Sequence, residues 1–188
     1  MITPKERLMS SHTVSLVLTV IGDDRPGLVE QLASAISQHE GNWLESSMSH
    51  LSGKFAGIVC VSVADSQLVA LKDKLAHLPG LRITSEESET VDGSKTTSGT
   101  RHLKLSLVGH DRIGIVREVS QVLAQHSINV ESLQTHTSSA PMSAAILFHA
   151  TADLTASPML DASVLTADLE LLSNDLMVDI TLDETIRT

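Results

Sequence analysis

Val20-Ile21-Gly22-Asp23-Asp24-Arg25-Pro26-Gly27-Leu28-Val29 is matched by Leu107-Val108-Gly109-His110-Asp111-Arg112-Ile113-Gly114-Ile115-Val116 when the chain is slid along itself by 87 positions. The register continues through Gln38-His39 against Gln125-His126 and Asn42 against Asn129. After a one-residue slip, Glu45-Ser46 falls opposite Glu131-Ser132 and His50 opposite His136. A loop, a helix length and an exit shared in this way mark a tandem duplication.

Working outward, each copy has the same order of elements. Val14, Leu16, Leu18 and Val20 alternate along a first strand, as do Leu103, Leu105 and Leu107. An amphipathic helix follows each glycine loop, with Leu28, Val29, Leu32 and Ile36 on one face in the first copy. The second copy has Ile115, Val116, Val119, Val122 and Leu123 there. His39 and His126 fall in the last turn, where an imidazolium suits the negative helix end. Two strands come next, over 42–51 and 54–63 and then 129–137 and 142–150, with turn-forming Ser52-Gly53 and Ser138-Ser139-Ala140-Pro141 between them. Leu68, Leu71, Leu75 and Leu78 predict a second helix that breaks at Pro79-Gly80. Its counterpart is expected to start at Ser157-Pro158, a cap followed by proline, and to bury Leu165, Leu169 and Leu172. The closing strand alternates as Leu176, Val178, Ile180 and Leu182.

The order βαββαβ, twice, is the split βαβ of ferredoxin-like folds: an α+β chain of two antiparallel sheets, each with helices on one face. The expected domains are a flexible leader over 1–12, a first domain over 13–90, a small polar linker over 91–100 and a second domain over 101–188.

Composition narrows the function. In 188 residues, 41% are apolar, enough for two cores. No apolar run approaches the roughly 18 residues of a membrane helix, and no secretory leader is recognisable. The single cysteine, Cys60, excludes an internal disulfide and suits the cytoplasm; within Gly57-Ile58-Val59-Cys60-Val61 it reads as an inert buried strand residue. A formal net charge of −10, with two Phe, one Trp and no Tyr, argues against direct nucleic-acid binding, and the lack of a long apolar run argues against a membrane partner.

The loops carry what chemistry there is. Glycines let the backbone turn and approach a ligand, and a helix N-terminus offers N–H groups to a carboxylate. Arg25 and Arg112 could add a forked donor, and Asp24 and Asp111 could accept from an ammonium, so a zwitterionic amino acid would fit. Equally, the aspartates could only stabilise the helix start while the arginines stay solvated. Both readings stand on the residues alone. Gly-x4-Gly is followed by Leu28-Val29 and Ile115-Val116 instead of Lys-Ser/Thr, which rules out a phosphate loop, and no Gly-x-Ser-x-Gly elbow exists. The nine histidines show no metal-ligand spacing; His50 and His136 are expected at matching places on the second strands, where they could face a ligand cavity or each other, a structural role being the better reading. Glu86-Glu87-Ser88-Glu89 reads as a solvated strand end. Asn42 and Asn129 fit a left-handed cap after the helix, or an amide that binds an effector amino group across a domain interface.

Two βαββαβ units, each with a Gly-x-Asp-Arg-x-Gly-[Leu/Ile]-Val loop and an exit of the type Asn42-Trp43-Leu44-Glu45-Ser46 or Asn129-Val130-Glu131-Ser132, resemble tandem ACT domains from about Thr13 to Thr185. The whole chain resembles, more specifically, the family of bacterial glycine cleavage system transcriptional repressors. That resemblance implies a regulator without catalytic machinery or cofactor. Its effector, a small amino acid with glycine foremost, would lie at domain interfaces. Carried over residue by residue, the effector site comprises Gly22, Asp24, Arg25, Gly27, Leu28 and Asn42, and Gly109, Asp111, Arg112, Gly114, Ile115 and Asn129. The resemblance also implies indirect repression, through a DNA-binding transcription activator as protein partner, in keeping with the acidic charge. Ile113 in place of Pro26 and His110 in place of Asp23 imply that the two sites need not be equal. Exposed sheet edges and the helix-free faces are candidate surfaces for docking or for self-association into a homo-oligomer. The rival expectation is a regulatory subunit or interaction module of an amino-acid or one-carbon enzyme.

Overall fold

The computed structural model describes residues 12–88, 100–140 and 145–185. They form two compact units, the first within residues 12–88 and the second within residues 100–185. The leader expected over 1–12, His12 apart, and the linker over 91–100, Thr100 apart, lie outside the described residues.

In the first unit β1 (Thr13–Asp23), α1 (Leu28–Gln38), β2 (Asn42–Leu51), β3 (Lys54–Ala64), α2 (Asp65–Ala76) and β4 (Leu81–Ser88) follow in order. The antiparallel sheet runs β2-β3-β1-β4. The inward set of β1, Leu16, Leu18 and Val20, meets Val59, Val61 and Val63 of β3 and the buried stripe Leu28, Leu32, Ala35 and Ile36 of α1. Leu68, Leu71 and Leu75 of α2 close the core, with Trp43, Met48 and Phe55 half-buried at its margin. Val29, expected on the buried face, is exposed.

The second unit repeats this with β5 (Arg101–His110), α3 (Ile115–Gln125), β6 (Asn129–Ser139), β7 (Ile146–Ala156), α4 (Ala162–Leu176) and β8 (Val178–Thr185), in the order β6-β7-β5-β8. Leu103, Leu105 and Leu107 lie under Ile115, Val119 and Leu123. Val116 again faces out, and Leu165 and Leu169 are buried with Leu172 beside them. Among the described residues no helix is long and apolar enough to cross a membrane.

Several expectations at element ends are corrected. The cap of α4 is Asp161, not Ser157: its carboxylate accepts from the N–H of Ser163 at 3.0 Å and of Val164 at 3.4 Å, while Ser157 Oγ accepts from Met159 N in the preceding turn. An acidic side chain at the positive helix end outcompetes the Ser-Pro signal upstream. Leu176 ends α4 instead of opening the last strand; Met177, left-handed at φ 52°, makes the break. The left-handed residues after α1 and α3 are Glu40 and Ser127, so Asn42 and Asn129 open strands and cap nothing.

The one-residue slip in the second strands is not present in the fold. Both β2 and β6 carry a bulge at the same place, between Trp43 and Glu45 and between Val130 and Ser132. His50 pairs with Phe55 and Thr137 with Phe148, so the counterpart of His50 is Thr137. His136 pairs with His149 on the other face of its sheet and stacks on it at 4.5 Å. Matching Glu-Ser pairs by eye displaced the alignment by one, and in a strand one residue exchanges the faces.

Candidate functional site

The loop of the first unit leaves the end of β1, where Gly22 is still paired with Phe55 and Leu81. A side chain there would drive a Cβ to well under 3.0 Å from Gly80 O, so glycine at 22 lets the α2–β4 turn close against β1. Asp24 N donates to Gly53 O at 3.0 Å, pinning the loop to the β2–β3 hairpin; Asp111 N repeats the bond to Ile146 O at 2.9 Å. Gly27 and Gly114 then take φ of 89° and 101°, left-handed conformations that glycine adopts without strain, and turn the chain into α1 and α3.

Neither helix start has a side-chain cap, in contrast to α4. Asp24 and Asp111 therefore do not serve as caps; the first turns of α1 and α3 carry the carboxylates of Glu30 and Glu118 instead, and no side chain accepts from their leading N–H groups. In the first unit Asp24, Arg25, Gly27, Leu28, Glu30 and Phe55 line a shallow pocket of about 440 Å3, its open side included. His50 Nε2 stands 3.6 Å from Asp24 Oδ2 at its border. Four sequence-predicted residues, Asp24, Arg25, Gly27 and Leu28, thus meet in one place. Gly22 lies on a different concavity, with Asp23, Lys54 and Arg82. There Lys54, by hydrogen bond and charge, holds the Asp23 carboxyl below its ordinary value against a small opposing effect of burial.

Arg25, although exposed, is also hydrogen-bonded to the chain. Its Nη2 donates to Pro79 O at 3.0 Å and to Gln31 Oε1 at 3.2 Å, and Gln31 Nε2 donates to the same Pro79 carbonyl at 3.0 Å. The guanidinium packs over Gly80, whose φ of 77° brings the turn beneath it. In the second unit the position of Gln31 is taken by Glu118, which accepts from Arg112 Nη2 at 2.8 Å and stands 3.5 Å from Arg117. One arginine rests on neutral groups; the other is neutralised by a carboxylate.

Asn42 does not join the loop of its own unit. It pairs through Ser62 with the row of Ser15, whereas the loop begins at the row of Gly22 and Phe55, roughly 20 Å along the strands. Asn129 is equally remote from Gly109 and donates to Glu131 Oε1 at 2.9 Å, beside the bulge. Gln31, Glu118 and Phe55 are the loop neighbours that sequence reasoning missed, whereas His50 stands beside the loop as one of its two expected alternatives had it. The signal for the first two was present, since Gln31 and Glu118 keep the 87-residue interval. His39 behaves as expected of a helix-end histidine, its Nδ1 2.8 Å from Ala35 O, while His126 pairs with Asp168 Oδ2 at 2.8 Å. Cys60 is half-buried on β3 beside Val17, Ser47 and Ile58.

Comparison with known proteins accords with this geometry. Family models described as ACT domain match residues 15–80 and 104–162. A solved protein of unknown function from Galdieria sulphuraria is 31% identical, with a TM-score of 0.78 over 93% of this chain and 100% of that one. A solved candidate glycine cleavage system transcriptional repressor shares the fold at 20% identity, with a TM-score of 0.68 over 94% of this chain and 100% of its own. No curated protein matches the sequence. With the duplicated loop, the two βαββαβ sheets and both family matches in agreement, the chain belongs to the ACT-domain family and carries two such domains in tandem.

Proposed function

We propose that this protein is a non-enzymatic regulator that senses a small amino acid, glycine foremost, through the loop of its first ACT domain. By this reading it represses a glycine cleavage operon indirectly, by engaging a DNA-binding activator. The observation that carries the proposal is the open start of α1: a left-handed Gly27, no side-chain cap, and Arg25 supported only by a carbonyl and a neutral amide. A ligand carboxylate would lie against the leading N–H groups of α1 with Arg25 alongside, and its ammonium against Asp24. A ligand as small as glycine suits a pocket this shallow. The second loop is the weaker site, because a carboxylate entering there competes with Glu118 for Arg112. The regulatory context is supported by likeness in fold to the candidate repressor over 94% of the chain, and the indirect mode by the net charge of −10. The effector can change partner binding only if it prefers one of two arrangements of the protein.

Thermal melting of the full chain against the twenty amino acids tests the reading, since a ligand selective for the native state raises Tm by mass action. A rise with glycine that is lost in Arg25→Ala supports it. No rise with any amino acid overturns the effector reading. Affinity capture that returns a metabolic enzyme in place of a transcription activator overturns the assignment of partner.

A further inference from the structure

The two domains fill matching places with unlike side chains, inside and out. In the cores, register gives Val59 and Val61 of the first domain the counterparts Ala152 and Leu154 in the second. The contrast is larger on the sheet face turned away from the helices. Because Leu16, Leu18 and Val20 point into the core, Val17, Thr19 and Ile21 of β1 lie on that outer face, with Ala56, Ile58 and Cys60 beside them on β3. Ile58 is 54% exposed. The corresponding places in the second domain hold Lys104, Ser106, Val108, His149, Thr151 and Asp153. One outer face is apolar along its middle; the other is polar.

Charge divides the apolar face into two ends. On β4, Arg82 pairs with Ile21 toward the loop end of the sheet, and Glu86 pairs with Val17 toward the opposite end. Both side chains are exposed. The Asp23 carboxylate at the loop end is engaged by Lys54. Between the two ends runs the row of Ile58, Thr19 and Thr84, in which the two threonine hydroxyls bond each other and so lose less on leaving water.

We propose that this face joins two copies of the chain, sheet against sheet, about a two-fold axis that follows the row of Ile58, Thr19 and Thr84. Such an axis reverses the strands. Ile58 then meets its own equivalent, Ile21 of one copy meets Val17 of the other, and Ala56 meets Cys60. Arg82 of each copy comes opposite Glu86 of the other, so one chain's pattern supplies two ion pairs. That self-complementarity is what an isologous interface demands. At ordinary strand spacing and rise the four-stranded face presents on the order of 500 Å2, which reaches the lower bound of a specific interface when both copies are counted. The polar face of the second domain offers no such match, and the proposal does not depend on the amino-acid reading of the loops.

Sedimentation velocity of the full chain across a micromolar concentration series tests the proposal. The expected result is a concentration-dependent dimer. Ile58→Glu, which sets two carboxylates at the axis, should weaken it at least about tenfold. Arg82→Glu should weaken it in the same direction, and adding Glu86→Arg to that variant should restore it by exchanging the signs. Thr151→Glu, the matching change in the second domain, should leave it unaltered. Circular dichroism confirms folding in each variant. A parent that stays monomeric, a dimer indifferent to a folded Ile58→Glu, or a double exchange that fails to restore association overturns the proposal.

Discussion

Gly22→Ala is expected to destabilise the first domain severely although it adds only one methyl group, at a half-buried position near the end of β1. The new Cβ would sit well under 3.0 Å from Gly80 O and 3.0 Å from Leu81 Cδ2. The nearer atom is backbone, and the turn that carries it is held by the bonds of Arg25 and Gln31 to Pro79 O, so it cannot swing aside as a side chain would. Overpacking of this kind costs about 1–3 kcal/mol, and an immobile neighbour puts the expected loss at the upper end. In a domain of this size each kcal/mol moves Tm by roughly 4–8 °C. Gly27→Ala is the internal control: its Cβ meets nothing within 4 Å, so only the positive φ is penalised, at about 1–2 kcal/mol. Urea unfolding followed by circular dichroism measures both. If Gly22→Ala lay within about 0.5 kcal/mol of the parent, the range of a neutral surface change, the close approach of β1 and the α2–β4 turn would not be what requires glycine.

Other predictions concern the loops and caps. Gln31→Glu, which gives the first loop the partner of the second, should lower amino-acid affinity severalfold by calorimetry, and Glu118→Gln should raise it at the second loop. Arg25→Ala should also loosen the α2–β4 turn, costing about 0.5–1.5 kcal/mol for the lost bonds and speeding hydrogen exchange at Leu81 N, which donates to Leu78 O. The Asp161 carboxyl is held below its ordinary value of 3.8, chiefly by the Ser163 hydroxyl and then by the N–H groups of Val164 and Ser163. A lowered folded-state pKa means that the contribution is complete above 3.8 and is lost as pH falls through the folded-state value. Asp161→Asn should therefore lower Tm relative to the parent at pH 7, and the difference should shrink as pH falls below 3.8 through the lowered folded-state value.

The fold was legible because the duplicated loop and the alternation of Leu16, Leu18, Val20 and of Leu103, Leu105, Leu107 depend on local periodicity. What escaped was set by contacts distant in sequence. Arg25 and Pro79 are 54 residues apart, and nothing in either segment alone announces that the arginine latches a turn. The displacement of His136 to the opposite sheet face came from treating Glu45-Ser46 and Glu131-Ser132 as aligned, when the bulges keep the register unbroken. For the site, the loop residues were readable from spacing; the remoteness of Asn42 from them depends on sheet register.

The unequal cores bear on folding fidelity as well. A chain holding two like sheets risks exchanging strands between them, the characteristic misassembly of tandem repeats. If β7 took the place of β3, Ala152 would stand where Val59 fills the first core, and Leu154 would be pressed into the place of Val61. The reverse exchange would press Val59 into a site shaped around Ala152. Opposite changes in side-chain volume at these two neighbouring inward positions thus penalise both swapped products relative to the native pairing, and they distinguish two copies whose loops and topology are nearly interchangeable.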